Sequence, residues 1–278
     1  MESAQISFLS HHQAFMDSFV AACQADDRVL AAFLSGSYIT GTLDAHSDVD
    51  LDLVTTDEAH EAFCAEKKAF LNRLGELVFV EDWGTPHVVF FNFADDTEGE
   101  MMIGSEGQQA LLHRGPHLVL LDKTGILSDV DFPYEDADPI EQIALLESIM
   151  NGFWHDVSHF ITALARGQLW WAYGQLEALR HMCLQLARLR HNFLDDEVAG
   201  HEAFFKIDKV LTDGQLAALQ TTYVPMEQGA MLRAVQRIVQ FYQENAQALA
   251  QAHHISYPID FEQVMLKRLA RFSNAQDG

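Results

Sequence analysis

Residues 29–54 read Val-Leu-Ala-Ala-Phe-Leu-Ser-Gly-Ser-Tyr-Ile-Thr-Gly-Thr-Leu-Asp-Ala-His-Ser-Asp-Val-Asp-Leu-Asp-Leu-Val. An apolar strand runs into a Gly36-Ser37 turn, and a second apolar strand follows that carries Asp48 and Asp50. Residues i and i+2 of a strand share a face. Two carboxylates side by side repel each other unless a cation lies between them. Magnesium held by one or two carboxylates and by substrate phosphates is the usual arrangement. The Gly-Ser turn leaves backbone N–H groups free for phosphate oxygens. Such a segment needs a sheet that holds its two strands side by side.

The rest of the first half supplies that sheet. Apolar spacing predicts a helix over Phe8 to Cys23, which Asp26-Asp27 ends. A short helix opens over Ser37 to Gly41, the second strand spans Ser47 to Val54, and an amphipathic helix spans Glu58 to Leu77. Further strands are expected at Val78 to Glu81, His87 to Phe93, Glu100 to Ile103 and Leu118 to Leu121, with a hairpin turn over Asp95 to Gly99. After Phe132-Pro133 and Asp138-Pro139 the pattern becomes helical: Ile140 to Ala165, Gln168 to Arg190 and Met231 to Ala252, punctuated by Gly167 and Gly200. Residues 1–135 then form a mixed-sheet domain with flanking helices, and residues 136–278 an all-α helical bundle; the fold class is α+β. The tail Asn274 to Gly278 is expected to fray.

The formal net charge is -24. Residues 1–138 hold 26 acidic and 6 basic side chains, a balance of -20; residues 139–278 hold 15 and 11, a balance of -4. That surface argues against a nucleic-acid partner, which binds through Lys and Arg, and suits a cationic small molecule. No apolar run approaches the roughly 20 residues of a bilayer span, and Met-Glu-Ser-Ala-Gln lacks the basic start of a signal peptide. A cytoplasmic protein without a membrane partner is expected. Cys23, Cys64 and Cys183 stand in no metal-ligand spacing and read as reduced, buried thiols. His11-His12 and His253-His254 read as surface histidines, since adjacent residues do not face each other on a helix.

Gly36-Ser37-x-x-x-Gly41-x-x-Asp44-x-x-Ser47-Asp48-Val49-Asp50 resembles the polymerase-β-type nucleotidyltransferase superfamily. Within it the chain is similar to the antibiotic-modifying branch, most to lincosamide nucleotidyltransferases and more distantly to aminoglycoside enzymes. Val88-Val89-Phe90-Phe91 with Gly99-Glu100-Met101, Leu120-Leu121-Asp122-Lys123-Thr124-Gly125, and the helical stretch from Ala165 carry the likeness over roughly residues 12–270. The resemblance implies two magnesium ions on Asp48 and Asp50, ATP as co-substrate, and triphosphate contacts from Gly36 and Ser37. It implies Glu100 as general base, with a ligand role for Glu100 left open. It implies a phosphate-binding lysine, either Lys206 or Lys209. Asp52 shares the face of the two ligands and reads as structural. Trp154, Asp156, Tyr173 and Glu177 are acceptor-site candidates, although aromatic residues such as Trp154, Trp170, Trp171 and Tyr173 belong by default to a bundle core. The implied reaction moves AMP from ATP onto a hydroxyl of a small molecule, a lincosamide or an aminoglycoside. Adenylylation of a protein side chain and a non-catalytic nucleotide-binding module are the alternatives. The resemblance leaves a homodimer open.

Overall fold

The computed structural model describes residues 8–109, 112–133, 136–195, 198 and 203–274. Gly200 and residues 275–278 of the tail lie outside them. The chain divides into two compact units, residues 1–135 and 136–278.

The first unit is built on a six-stranded sheet of β1 (Val29–Leu34), β2 (Val49–Thr55), β3 (Leu77–Glu81), β4 (Val88–Phe93), β5 (Glu98–Ser105) and β6 (Leu118–Asp122). The strand order is β3-β4-β5-β2-β1-β6. β2 and β5 run parallel, and every other pair is antiparallel. The sheet is therefore mixed, and the helices of the second unit make the whole α+β.

Alternation along β2 sorts its side chains onto two faces. Val49, Leu51 and Leu53 pack on one side with Phe15, Met16 and Phe19 of α1 (Gln13–Ala25) and Phe63, Phe70 and Leu71 of α3 (His60–Leu71). The opposite face carries Asp50 and Asp52, and Phe33 of β1 stands directly across from Asp52. Phe33 joins Ala31, Val54, Leu112, Leu127 and Phe132 in a smaller apolar cluster. One side of β2 thus anchors the sheet and the other displays carboxylates.

Three local features depart from the sequence expectations. Helix α3 stops at Leu71 rather than Leu77, and the chain turns through Gly75 into β3. A Cβ on Gly75 would sit 3.1 Å from the Phe93 ring, so the turn packs closely on β4. The β4–β5 turn occupies residues 94–97, with Asp96 at φ 70, and Gly99 lies inside β5. Gly99 is there because a Cβ would lie 2.1 Å from the Val49 carbonyl oxygen of the neighbouring strand. His12 is buried, not a surface residue, and its Nδ1 lies 2.6 Å from the Tyr38 hydroxyl. That pair, with the Leu9 N–H donating to the same hydroxyl, ties α2 (Ser37–Thr40) to the start of α1.

The second unit consists of α4 (Pro139–Ala165), α5 (Leu169–His191), α6 (Ile207–Val210), α7 (Asp213–Gln220), α8 (Gln228–Ala252) and α9 (Ile259–Asn274). Asp138 caps α4 by accepting from the Ile140 N–H, with Pro139 in the first turn. Phe153, Trp154, Leu179, Cys183, Ile238 and Tyr242 form part of its core, and the Phe153 and Tyr242 rings stack at 3.6 Å. All three cysteines are free and buried. No helix among the described residues is long and apolar enough to cross a membrane.

Candidate active site

The turn between β1 and β2 owes its shape to Gly36. Its φ of 64 and ψ of -142 suit glycine, and a Cβ there would fall 1.6 Å from Asp50 Oδ2. The backbone thereby comes up against the carboxylate. The Ile39 and Thr40 N–H groups donate to the Gly36 carbonyl and start α2. Gly41 ends that single turn at φ 74. Asp44 and Ser47 then brace the approach to β2: the Asp44 N–H donates to Ser47 Oγ, and the Ser47 N–H donates to the Asp44 carbonyl.

Asp48 stands just before β2 and Asp50 within it. The parallel β2–β5 register sets Asp50 directly opposite Glu100. Burial raises the Asp50 carboxyl to about 6, with further upward pressure from the charges of Asp48 and Glu100 and a partial offset from the Ser37 N–H. Burial, then Asp48, also raises Glu100. Three mutually repelling carboxylates converge here. The Ser37 Oγ nearby is buried without a hydrogen-bond partner. A hydroxyl so placed lacks the bond that buried polar groups normally make.

These oxygens suit a hard divalent cation, which prefers carboxylate and phosphate ligands. The unsatisfied Ser37 hydroxyl suits an anionic oxygen brought with it. Asp48 and Asp50 are the residues that would hold magnesium.

A cavity of about 350 Å³ opens on this face, lined by residues including Ser35, Asp50, Asp52, Glu100, His113 and Arg114. Asp52 belongs to its lining. Its carboxylate is buried, accepts from Ser35 Oγ at 3.0 Å, and is raised to about 7, chiefly by that burial. His113 Nδ1 lies 3.8 Å from Asp52 Oδ2. The Asp48-x-Asp50-x-Asp52 alternation was visible in the sequence. His113 and Arg114 arrive on the connection before β6, and nothing in their local sequence signals it.

The remaining candidates lie in the helical unit. Lys206 and Lys209 are exposed around the single turn α6; Lys206 has a φ of 51, and its Nζ lies 4.2 Å from the Phe205 ring centroid. Trp154 is fully enclosed, edge-on to Phe153 and Tyr242. Glu177 pairs with the buried Arg180, whose guanidinium also lies over the rings of Tyr173 and Tyr223. Arg180 donates in turn to the Thr222 hydroxyl and carbonyl. Asp156 lies 3.2 Å from His155 Nδ1. Trp170 is exposed, and Trp171 lies near His159.

A family model described as streptomycin adenylyltransferase matches residues 9–271. No curated protein matches the chain. Among solved structures, an aminoglycoside 6-adenyltransferase from Bacillus subtilis is similar at 17% identity, with 96% of this chain and 99% of that chain covered and a TM-score of 0.46. A nucleotidyltransferase-like protein from Exiguobacterium sibiricum is similar at 13% identity, with 84% and 74% covered and a TM-score of 0.35.

Proposed function

The chain belongs to the streptomycin adenylyltransferase family and is a nucleotidyltransferase, and from that premise we propose that it transfers AMP from ATP onto a hydroxyl of an aminoglycoside-like acceptor. The observation that carries the proposal is the meeting of Asp48, Asp50 and Glu100 beside an unsatisfied Ser37 hydroxyl.

Asp48 and Asp50 would hold magnesium, and Ser37 Oγ donates to a phosphate oxygen of the nucleotide. Bound there, magnesium supplies charge neutralisation for the triphosphate and for the departing pyrophosphate. Glu100 takes the proton of the acceptor hydroxyl. Burial, and then the charge of Asp48, raise the pKa of Glu100 and so make it a stronger base than an exposed glutamate. The acceptor oxygen then bonds to the α-phosphorus as the bond to the β-phosphate bridge breaks, and pyrophosphate leaves. The acidic surface, -24 over the chain, favours the approach of a polycationic acceptor.

Purified protein should release pyrophosphate from ATP and magnesium only when a hydroxyl-bearing aminoglycoside is present, streptomycin being the first to try and lincosamides the control panel. Mass spectrometry should find AMP on the acceptor. Label appearing on protein instead would refute the small-molecule acceptor.

A further inference from the structure

On the other face of β2, and at its other end, three side chains of types that can ligate a metal converge. His60 and Cys64 sit four residues apart on α3, so they share a helix face. His87 stands immediately before β4, its carbonyl fixed by the Ile103 N–H at 2.8 Å. His60 Nε2 lies 3.1 Å from His87 Nδ1. Cys64 Sγ lies 3.8 Å from each of those nitrogens. Tetrahedral zinc, with bonds near 2.05 Å to nitrogen and 2.3 Å to sulfur, would set such atoms about 3.4 and 3.6 Å apart.

The protonation pattern fits as well. The Thr55 hydroxyl donates to the Gly104 carbonyl at 3.2 Å, so toward His60 Nδ1, 3.0 Å away, it acts as acceptor. The His60 tautomer with its proton on Nδ1 is the one that completes both Thr55 contacts, and it turns a lone pair on Nε2 toward His87 and Cys64. A hydroxyl or carbonyl that orients the outer nitrogen in this way is the usual support of a ligating histidine. Cys64 is 2% exposed, whereas His87 is exposed and opens the cluster to solvent.

We propose that His60, Cys64 and His87 form a zinc site, with water as the fourth ligand. Binding forms two Zn–N bonds and one Zn–S bond. The Cys64 thiol releases its proton to solvent. The proton that His87 Nδ1 shares with His60 in the metal-free form transfers, through solvent, to His87 Nε2. The ion clamps the start of α3 to the head of β4. Thr55 follows Asp50 by five residues, roughly 17 Å along the strand, and Val49, Leu51 and Leu53 mark its face as the one away from the carboxylates. The site is thus separate from the nucleotide centre and stands whether or not the transferase reading does. In the sequence, the signal for this site is the His60-x-x-x-Cys64 spacing.

Metal-free protein at neutral pH, titrated with Co²⁺ alone, should develop a thiolate-to-cobalt charge-transfer band and tetrahedral d–d bands that saturate at one equivalent and vanish on adding Zn²⁺. Asp50→Asn should leave these bands in place, which separates them from binding at the carboxylates. Cys64→Ser should abolish the charge-transfer band. His87→Ala, on the surface and so expected to keep its far-ultraviolet circular dichroism, should weaken Zn²⁺ binding on the order of 100-fold, and Thr55→Val about 10-fold. No charge-transfer band in the wild type, or one that survives in His87→Ala with unchanged affinity, would overturn the proposal.

Discussion

At position 36 there is room for a hydrogen atom and nothing larger. Alanine would place carbon 1.6 Å from Asp50 Oδ2 at a φ of 64 that alanine resists. Gly36→Ala should therefore push the turn off the carboxylate, costing about 1–3 kcal/mol of stability and most ATP binding; denaturant unfolding and nucleotide titration read the two separately. Glu100 has a different signature. Glu100→Gln keeps the shape of the site and removes the proton acceptor, so kcat should fall about 100- to 10,000-fold while the KM for ATP changes little. Equal losses in kcat and in ATP affinity would instead assign Glu100 to the metal. The pairing of Asp48 with Asp50 was legible because the two acids recur at strand spacing beside a Gly-Ser turn, whereas Glu100, which the register sets opposite Asp50, was pointed to only by the resemblance. The depth of Asp52 was not, since its burial depends on Ser35 and on His113, 61 positions further along the chain.

At the scale of elements, the join between α1 and β1 rests on Asp26. Its carboxylate accepts from Arg28 and from Arg73, and the Lys123 ammonium donates to its carbonyl. The hydrogen bonds from Arg28 hold its pKa at about 2, below the ordinary 3.8. The folded form thus gives up the Asp26 proton more readily than the unfolded form, so the pair's contribution is present above about 3.8 and is lost as pH falls toward 2. Asp26→Asn should cost about 1–3 kcal/mol at neutral pH and flatten this part of the acid limb in urea unfolding across a pH series. A variant with the wild-type acid limb would show that the Arg28 contact contributes nothing. The strands of the sheet were legible because β2 alternates apolar and acidic residues and β1 and β4 are short apolar runs. A helix around Phe204 to Lys209 was legible and appears as the single turn α6, whereas α7 and α9 were not among the expected elements. α7 has only eight residues, while α9 carries Phe261, Met265, Leu269 and Phe272 at helical spacing, a pattern present in the sequence.

At the scale of the whole molecule, two separate cores support two kinds of surface. The sheet unit carries most of the negative charge and the carboxylate face; the helical unit is nearly balanced in charge. Its core centres on aromatic packing, with Phe153 stacked on Tyr242 and Trp154 edge-on to both. Phe153→Ala should remove about 3–5 kcal/mol of stability from that unit, measurable by denaturant unfolding followed through tryptophan fluorescence. The central claim is that Asp48 and Asp50 hold a magnesium–nucleotide complex beside Gly36 and Ser37. Calorimetric titration of ATP into wild type and Asp50→Asn, each with and without magnesium, tests it most directly. The expected result is ATP binding that requires magnesium in the wild type and disappears in Asp50→Asn while the variant stays folded. Equal ATP binding by both proteins, indifferent to magnesium, would contradict it.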